Sequence, residues 1–157
     1  MDKKLNEAVA ALRPQMVAAL QRLVHRRSVE ADPLPGKPFG EEVDACFAEA
    51  LTLCHELGFE TTDMDRYIGW CEIGTGDEMV AVLGHLDVVP EGNGWTGSPF
   101  DMVRRDGYVV GRGVADDKGP AVLTLYAAKF FKQQGATLPY TLRILLGANE
   151  ETGMKDV

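Results

Sequence analysis

Positive charge is the first thing in short supply. Lys and Arg number 16 against 24 Asp and Glu, a formal net charge of −8 at pH 7. Nucleic-acid binding needs a basic surface to displace counterions from phosphates, so no nucleic-acid partner is expected. Cysteine is scarce as well. Cys46, Cys54 and Cys71 are odd in number and form no CxxC or zinc-ribbon spacing. They read as buried free thiols of a reducing cytoplasm. No run approaches the ~18 apolar residues of a membrane span, and Met1-Asp2-Lys3-Lys4 leads into a segment broken by Glu7, Arg13 and Gln15, not into a signal-peptide core. A cytoplasmic protein without a membrane partner is expected. There is no internal repeat and no low-complexity segment. The glycine-rich stretch Gly107–Gly113 contains neither a GxxxxGK loop nor a GxGxxG following a strand, which excludes a phosphate cradle. No serine or cysteine stands in a nucleophile-elbow context.

What remains is ordinary for one globular domain: 157 residues, 45% hydrophobic and 25% charged, enough for a real core. Helical spacing runs from about Leu5 to Arg27 (Leu5, Val9, Leu12, Met16, Leu20, Leu23, Val24), with Pro14 as a kink or a second start. Ser28–Gly40 is a proline-rich loop. A second helix is expected over Glu41–Leu57, with Gly58 as its stop. Strands follow at about Glu60–Met64 and Ile68–Ile73, and a hairpin over Phe100–Arg104 and Tyr108–Val110 turns at Asp106-Gly107. Pro120 suits the first turn of a helix reaching about Gln134. Tyr140–Leu146 reads as an apolar strand, and a last helix is expected to begin near the end of the chain. Buried strands alternating with amphipathic helices predict an α/β protein, a three-layer α/β/α sandwich with a mostly parallel mixed sheet.

The chain is organised around Val80-Ala81-Val82-Leu83-Gly84-His85-Leu86-Asp87. Its apolar run reads as a central strand buried on both faces. At its carboxyl end, where open α/β sheets bind ligands, His85 and Asp87 fall on the same side of an extended chain. Two further clusters, Asp116-Asp117-Lys118-Gly119 and Glu150-Glu151, follow at intervals of 31 and 34 positions, each about one strand–helix unit. Such intervals bring strand ends side by side. A histidine, a carboxylate able to bridge and a terminal carboxylate suit a pair of zinc ions, or manganese or cobalt. Two metals ~3.5–4 Å apart are an arrangement used for amide hydrolysis. One carboxylate must stay free to take a proton from water, and Glu150 and Glu151 could divide the labour, one as base and one as ligand. His25 and His55 lie far from these clusters in sequence and read as structural or surface residues.

At Gly84-His85-Leu86-Asp87-Val88-Val89-Pro90, Gly94-Trp95, Pro99-Phe100, Gly111-Arg112-Gly113-Val114-Ala115-Asp116-Asp117-Lys118-Gly119-Pro120 and Asn149-Glu150-Glu151-Thr152-Gly153 the chain closely resembles the di-zinc exopeptidases of glutamate carboxypeptidase and carnosinase type. Pro38-Phe39-Gly40 and Leu57-Gly58-Phe59 are most similar to the PepV-type bacterial dipeptidase branch. The resemblance implies that His85 ligates one zinc and that Asp87 orients it. It implies that Asp116, not Asp117, bridges the metals across a cis Asp116–Asp117 bond, that Glu150 is the general base and that Glu151 ligates the other zinc. It further implies metal-dependent hydrolysis of dipeptides or small peptides by a water activated by two zinc ions.

The family has two further ligands, a later aspartate and a late histidine, and a lid domain, none of which matches anything here. Residues 1–157 are therefore expected to be the N-terminal portion of a metallopeptidase catalytic domain. His25-Arg26-Arg27-Ser28 is also more basic than the family's usual apolar residue before this serine. Two other readings stand beside the dipeptidase: an amidohydrolase acting on N-acyl amino acids through the same metal core, and a non-catalytic module. The oligomeric state is not legible.

Overall fold

A computed structural model describes residues 3–157. Met1 and Asp2, the start of the polar run weighed above against a signal peptide, lie outside the described residues. Helix α1 spans Lys3–Val24 and passes through Pro14 without ending. Its packing deepens toward the C-terminal end: Ala19, Leu20, Leu23 and Val24 are buried, Leu12 and Met16 are partly buried against the core, and Leu5 and Val9 are exposed. Helix α2 (Glu41–Glu56) follows Gly40 at φ 91°, carries Glu41, Glu42 and Asp44 in its first turn and is stopped at Gly58, φ 83°. Acidic residues at that end favour the helix dipole, and positive φ is where glycine is needed. No described helix is long and apolar enough to cross a membrane.

Strands β1 (Thr61–Met64), β2 (Ile68–Ile73), β3 (Met79–His85) and β6 (Thr141–Gly147) form one sheet in the order β1-β2-β6-β3. It is mixed, as expected, but not mostly parallel. Among the described strands β3–β6 is the parallel pairing, and β1–β2 and β2–β6 are antiparallel. The three-residue link from β1 to β2 permits only an antiparallel pair. Strands β4 (Val103–Arg105) and β5 (Tyr108–Val110) make a separate hairpin, shorter than the sequence suggests. It turns at Asp106 (φ 50°) and Gly107 (φ 84°), the double positive φ of a tight turn. Helix α3 spans Lys118–Gln133, starting before Pro120.

The register places α2 and α3 on one face of the sheet. Gly69, Leu146 and Gly84 are neighbours across β2, β6 and β3. A Cβ on Gly69 would touch Phe47 and Leu51 of α2; one on Gly84 would touch Ala121 of α3. Helix α1 packs outside, on α3 and α2. The core lies between these helices and that face, around Leu23, Val43, Phe47, Cys54, Cys71, Val122, Leu125, Ile144 and Leu146. Cys46, Cys54 and Cys71 are buried and free. The opposite face carries Trp70, Leu83 and the Arg143–Glu72 ion pair at 2.5 Å.

Two further sequence expectations are corrected by the structure. The β3 run is not buried on both faces, nor central: Val80, Val82 and Leu83 are 47%, 37% and 48% exposed. β6 pairs with one edge only, α3 closes over the Gly84 end, and no described residue pairs with the other edge. Nor does a helix begin near the end of the chain. Residues 150–157 fold into turns, because their backbone amides are drawn to side-chain acceptors, as described below.

Candidate metal centre

Parallel pairing of β3 with β6 sets His85 opposite Gly147, so the segments following both strands meet at one end of the sheet. Helix α3 brings Asp116 and Asp117 to the same end. The His85 backbone N–H donates to Asp117 Oδ2 at 3.1 Å. Its ring Nδ1 lies 3.1 Å from the Asp87 carbonyl oxygen and 3.3 Å from Asp87 Oδ1. Its Nε2 lies 3.0 Å from Asp116 Oδ1 and 3.8 Å from Glu150 Oε2. Asp87 thus faces one ring nitrogen, and the other points at the remaining acids. Burial opposes a charged ring, but Asp87 and Asp116 outweigh it and push His85 up to about 9.

Asp87 is fully buried and does more than face the imidazole. Oδ1 accepts the amide N–H of Glu150 and Oδ2 that of Glu151, both at 3.0 Å. Burial works against the ionised form, yet His85 and these two amides hold the carboxyl below its ordinary range. Burial pushes the Glu151 carboxyl up, and the nearby charge of Asp116 adds to this. The Asp116–Asp117 peptide is cis. The two aspartates part company there: Asp116 reaches the ring and is mostly exposed, whereas Asp117 turns back to the His85 main chain.

His85, Asp116 and Glu151 each offer one ligand atom, all within 4.8 Å of one another. A zinc-like ion with bonds of ~2.0–2.2 Å spans donors up to ~4 Å apart, so small side-chain rotations would close the set. One imidazole and two carboxylates are a fitting donor set for a borderline divalent cation. Such an ion also offsets the mutual repulsion of Asp87, Asp116, Asp117, Glu150 and Glu151.

All five residues singled out by sequence are brought together. His25 and His55 are not: His25 is exposed beside Asp101 and His55 bonds Thr61. Sequence reasoning gave no role to Ser28, whose Oγ donates to the Leu86 carbonyl oxygen at 2.6 Å. It also passed over Lys118, buried with Nζ donating to the carbonyl oxygens of Leu23 and Arg26 at 2.9 and 2.8 Å. Lys118 adjoins the aspartates in the DDKG stretch, a signal that could have singled it out; Ser28 carries none.

The model of peptidase family M20/M25/M40 matches residues 81–157. The chain is 42% identical over 123 residues to YtjP of Bacillus subtilis (strain 168), a match covering 78% of this chain and 27% of YtjP. It is 33% identical over 155 residues to the beta-Ala-Xaa dipeptidase of Lactobacillus delbrueckii subsp. lactis, covering 97% of this chain and 33% of that enzyme. The fold superposes on human carnosine dipeptidase 1 with a TM-score of 0.83 at 24% identity, covering 99% of this chain and 36% of that one. The chain therefore spans about a third or less of the length of the relatives it matches.

Proposed function

Because the chain belongs to peptidase family M20/M25/M40, we propose that it is the N-terminal portion of the catalytic domain of a metal-dependent dipeptidase, cytoplasmic and acting on dipeptides or small peptides. The observation that carries the reading is the convergence of His85, Asp116 and Glu151 on one point, with Glu150 beside them and 3.8 Å from His85 Nε2. In this reading His85, Asp116 and Glu151 would hold divalent cations, zinc by donor type with manganese or cobalt as substitutes, with Asp116 the residue shared between two such ions. When bound, such ions would supply Lewis acidity toward the scissile carbonyl and the attacking water.

The chain's own residues do the rest. Glu150 takes a proton from the attacking water and delivers it to the leaving amine, which needs a carboxylate close to the ligands but not among them. Asp87 fixes the tautomer of His85 by accepting from Nδ1–H, leaving the Nε2 lone pair for a cation. Through its hold on two amides it also sets Glu150 and Glu151 side by side. A dipeptide substrate is favoured over an N-acyl amino acid by the resemblance to the beta-Ala-Xaa dipeptidase.

The test is made in the full-length protein. Glu150→Gln is expected to keep its metal and lose turnover by ~10²–10⁴-fold, the range of a general base. Asp116→Ala is expected to lose metal as well. Elemental analysis and a beta-Ala-Xaa hydrolysis assay, run against an N-acetyl amino acid, read both. Wild-type turnover in Glu150→Gln would remove Glu150 as the base.

A further inference from the structure

Asp156 is a buried charge that none of these roles uses. It is 7% exposed. Its Oδ2 accepts the amide N–H of Asn149 at 2.9 Å, and its Oδ1 has no partner among the described residues. A carboxylate taken out of water for one hydrogen bond disfavours the fold, and the group it holds must account for its place there. The strand end makes room for it at Gly147, where a Cβ would collide with Asp156 Oδ2.

What it holds is the entry to the glutamate pair. Three successive amides donate to carboxylates: Asn149 to Asp156, Glu150 and Glu151 to Asp87. Asn149 is fully buried, and its side chain ties the turn to itself. Nδ2 donates to Thr152 Oγ1 at 2.6 Å, and Oδ1 accepts the Lys155 amide at 3.4 Å. The direction of this backbone decides where the Glu150 and Glu151 carboxylates point, and a misplacement of ~1 Å can cost about 10²-fold in rate.

We propose that Asp156 is a positioning residue. By holding the Asn149 amide it works with Asp87 to aim Glu150 and Glu151 at His85 and Asp116. The proposal rests on the reading of Glu150 as base and Glu151 as ligand.

The experiment uses the full-length protein loaded with zinc. Asp156→Ala and Asp156→Asn are compared for zinc loss to excess chelator, for kcat and KM on a beta-Ala-Xaa dipeptide, and for Tm. Asp156→Ala is expected to lose zinc ~10-fold faster or more, and its kcat to fall ~10–100-fold with KM within ~3-fold. Asp156→Asn keeps an oxygen acceptor for the Asn149 amide and is expected to stay within ~3-fold of wild type in both. A lower Tm with zinc loss and kcat per loaded site unchanged would overturn the proposal, since that is a structural role only. So would an Asp156→Asn as damaging as Asp156→Ala. If Asp156→Ala does not fold, Asp156→Glu carries the test: its extra methylene displaces the turn and is expected to speed zinc loss, and wild-type retention would overturn the proposal. A full-length protein inactive on dipeptides would sink the functional reading, while zinc loss would still decide the role of Asp156.

Discussion

One carboxylate, Asp87, accepts from two consecutive amides and faces an imidazole. Replacing it by asparagine keeps the shape and one acceptor oxygen, but sets an NH₂ group against the amide of Glu150 or Glu151. A buried donor facing a donor is left unsatisfied, at about 1–3 kcal/mol. In the full-length protein Asp87→Asn is therefore expected to weaken metal binding by ~10–100-fold, measured by competition with a chelating indicator. That His85, Asp116 and the glutamate pair would meet was legible from their intervals along the chain, because strand ends at such spacing lie side by side. The double grip of Asp87 was not legible, since it uses backbone amides that every residue possesses. Asp156 was invisible for the same reason: its one partner among the described residues is the Asn149 main chain.

Elements are joined around the site by two polar fastenings. Lys118, the first residue of α3, donates to the carbonyl oxygens of Leu23, in the last turn of α1, and of Arg26, just past it. Burial pulls its ammonium below the ordinary lysine range, yet carbonyls at and just past a helix end need donors. Lys118→Met fills the space and removes the donor from the Arg26 carbonyl, while the Leu23 carbonyl keeps the Arg26 backbone N–H at 3.1 Å. The expected cost is about 1–3 kcal/mol, a fall in Tm of roughly 2–12 °C, read by thermal melts.

The second fastening is Glu30, in the loop after α1. It pairs with Lys155 at 3.3 Å. A hydrogen bond from Thr152 holds its carboxyl below the ordinary 4.5, against the effect of burial and with help from Lys155. A carboxyl depressed in the folded state stabilises fully above its unfolded pKa and loses that contribution as pH falls through the folded value. The Tm advantage of wild type over Glu30→Gln is thus expected at pH 7 and should vanish in strong acid. An advantage that grows on acidification would show the sign to be wrong. Helix periodicity in α1, α2 and α3 was readable because one face of each is apolar. These fastenings were not, since each joins a side chain to a segment remote in sequence.

At the scale of the whole molecule, the sequence misleads about β3. Val80-Ala81-Val82-Leu83 has the composition of a strand with neighbours on both sides, but composition does not say which segment supplies them. Among the described residues β3 has one neighbour, β6, and its other edge is unpaired. Unpaired apolar edges template pairing with another chain. The opposing term is the net charge of −8, which acts over a Debye length of ~8 Å at physiological salt. Strand pairing acts at ~4.8 Å, inside that length, so added salt screens the repulsion more than the contact. The 157-residue chain expressed alone is therefore expected to self-associate, and to do so more strongly as salt rises. Leu83→Lys places a charge on the open face of β3 at little cost to the fold, about 0.5 kcal/mol or less for an exposed position, and is expected to shift the chain toward monomer. Sedimentation velocity across a salt series reads both effects. Association that weakened with salt and ignored Leu83→Lys would mean that charge pairs elsewhere, not the β3 edge, hold the copies together.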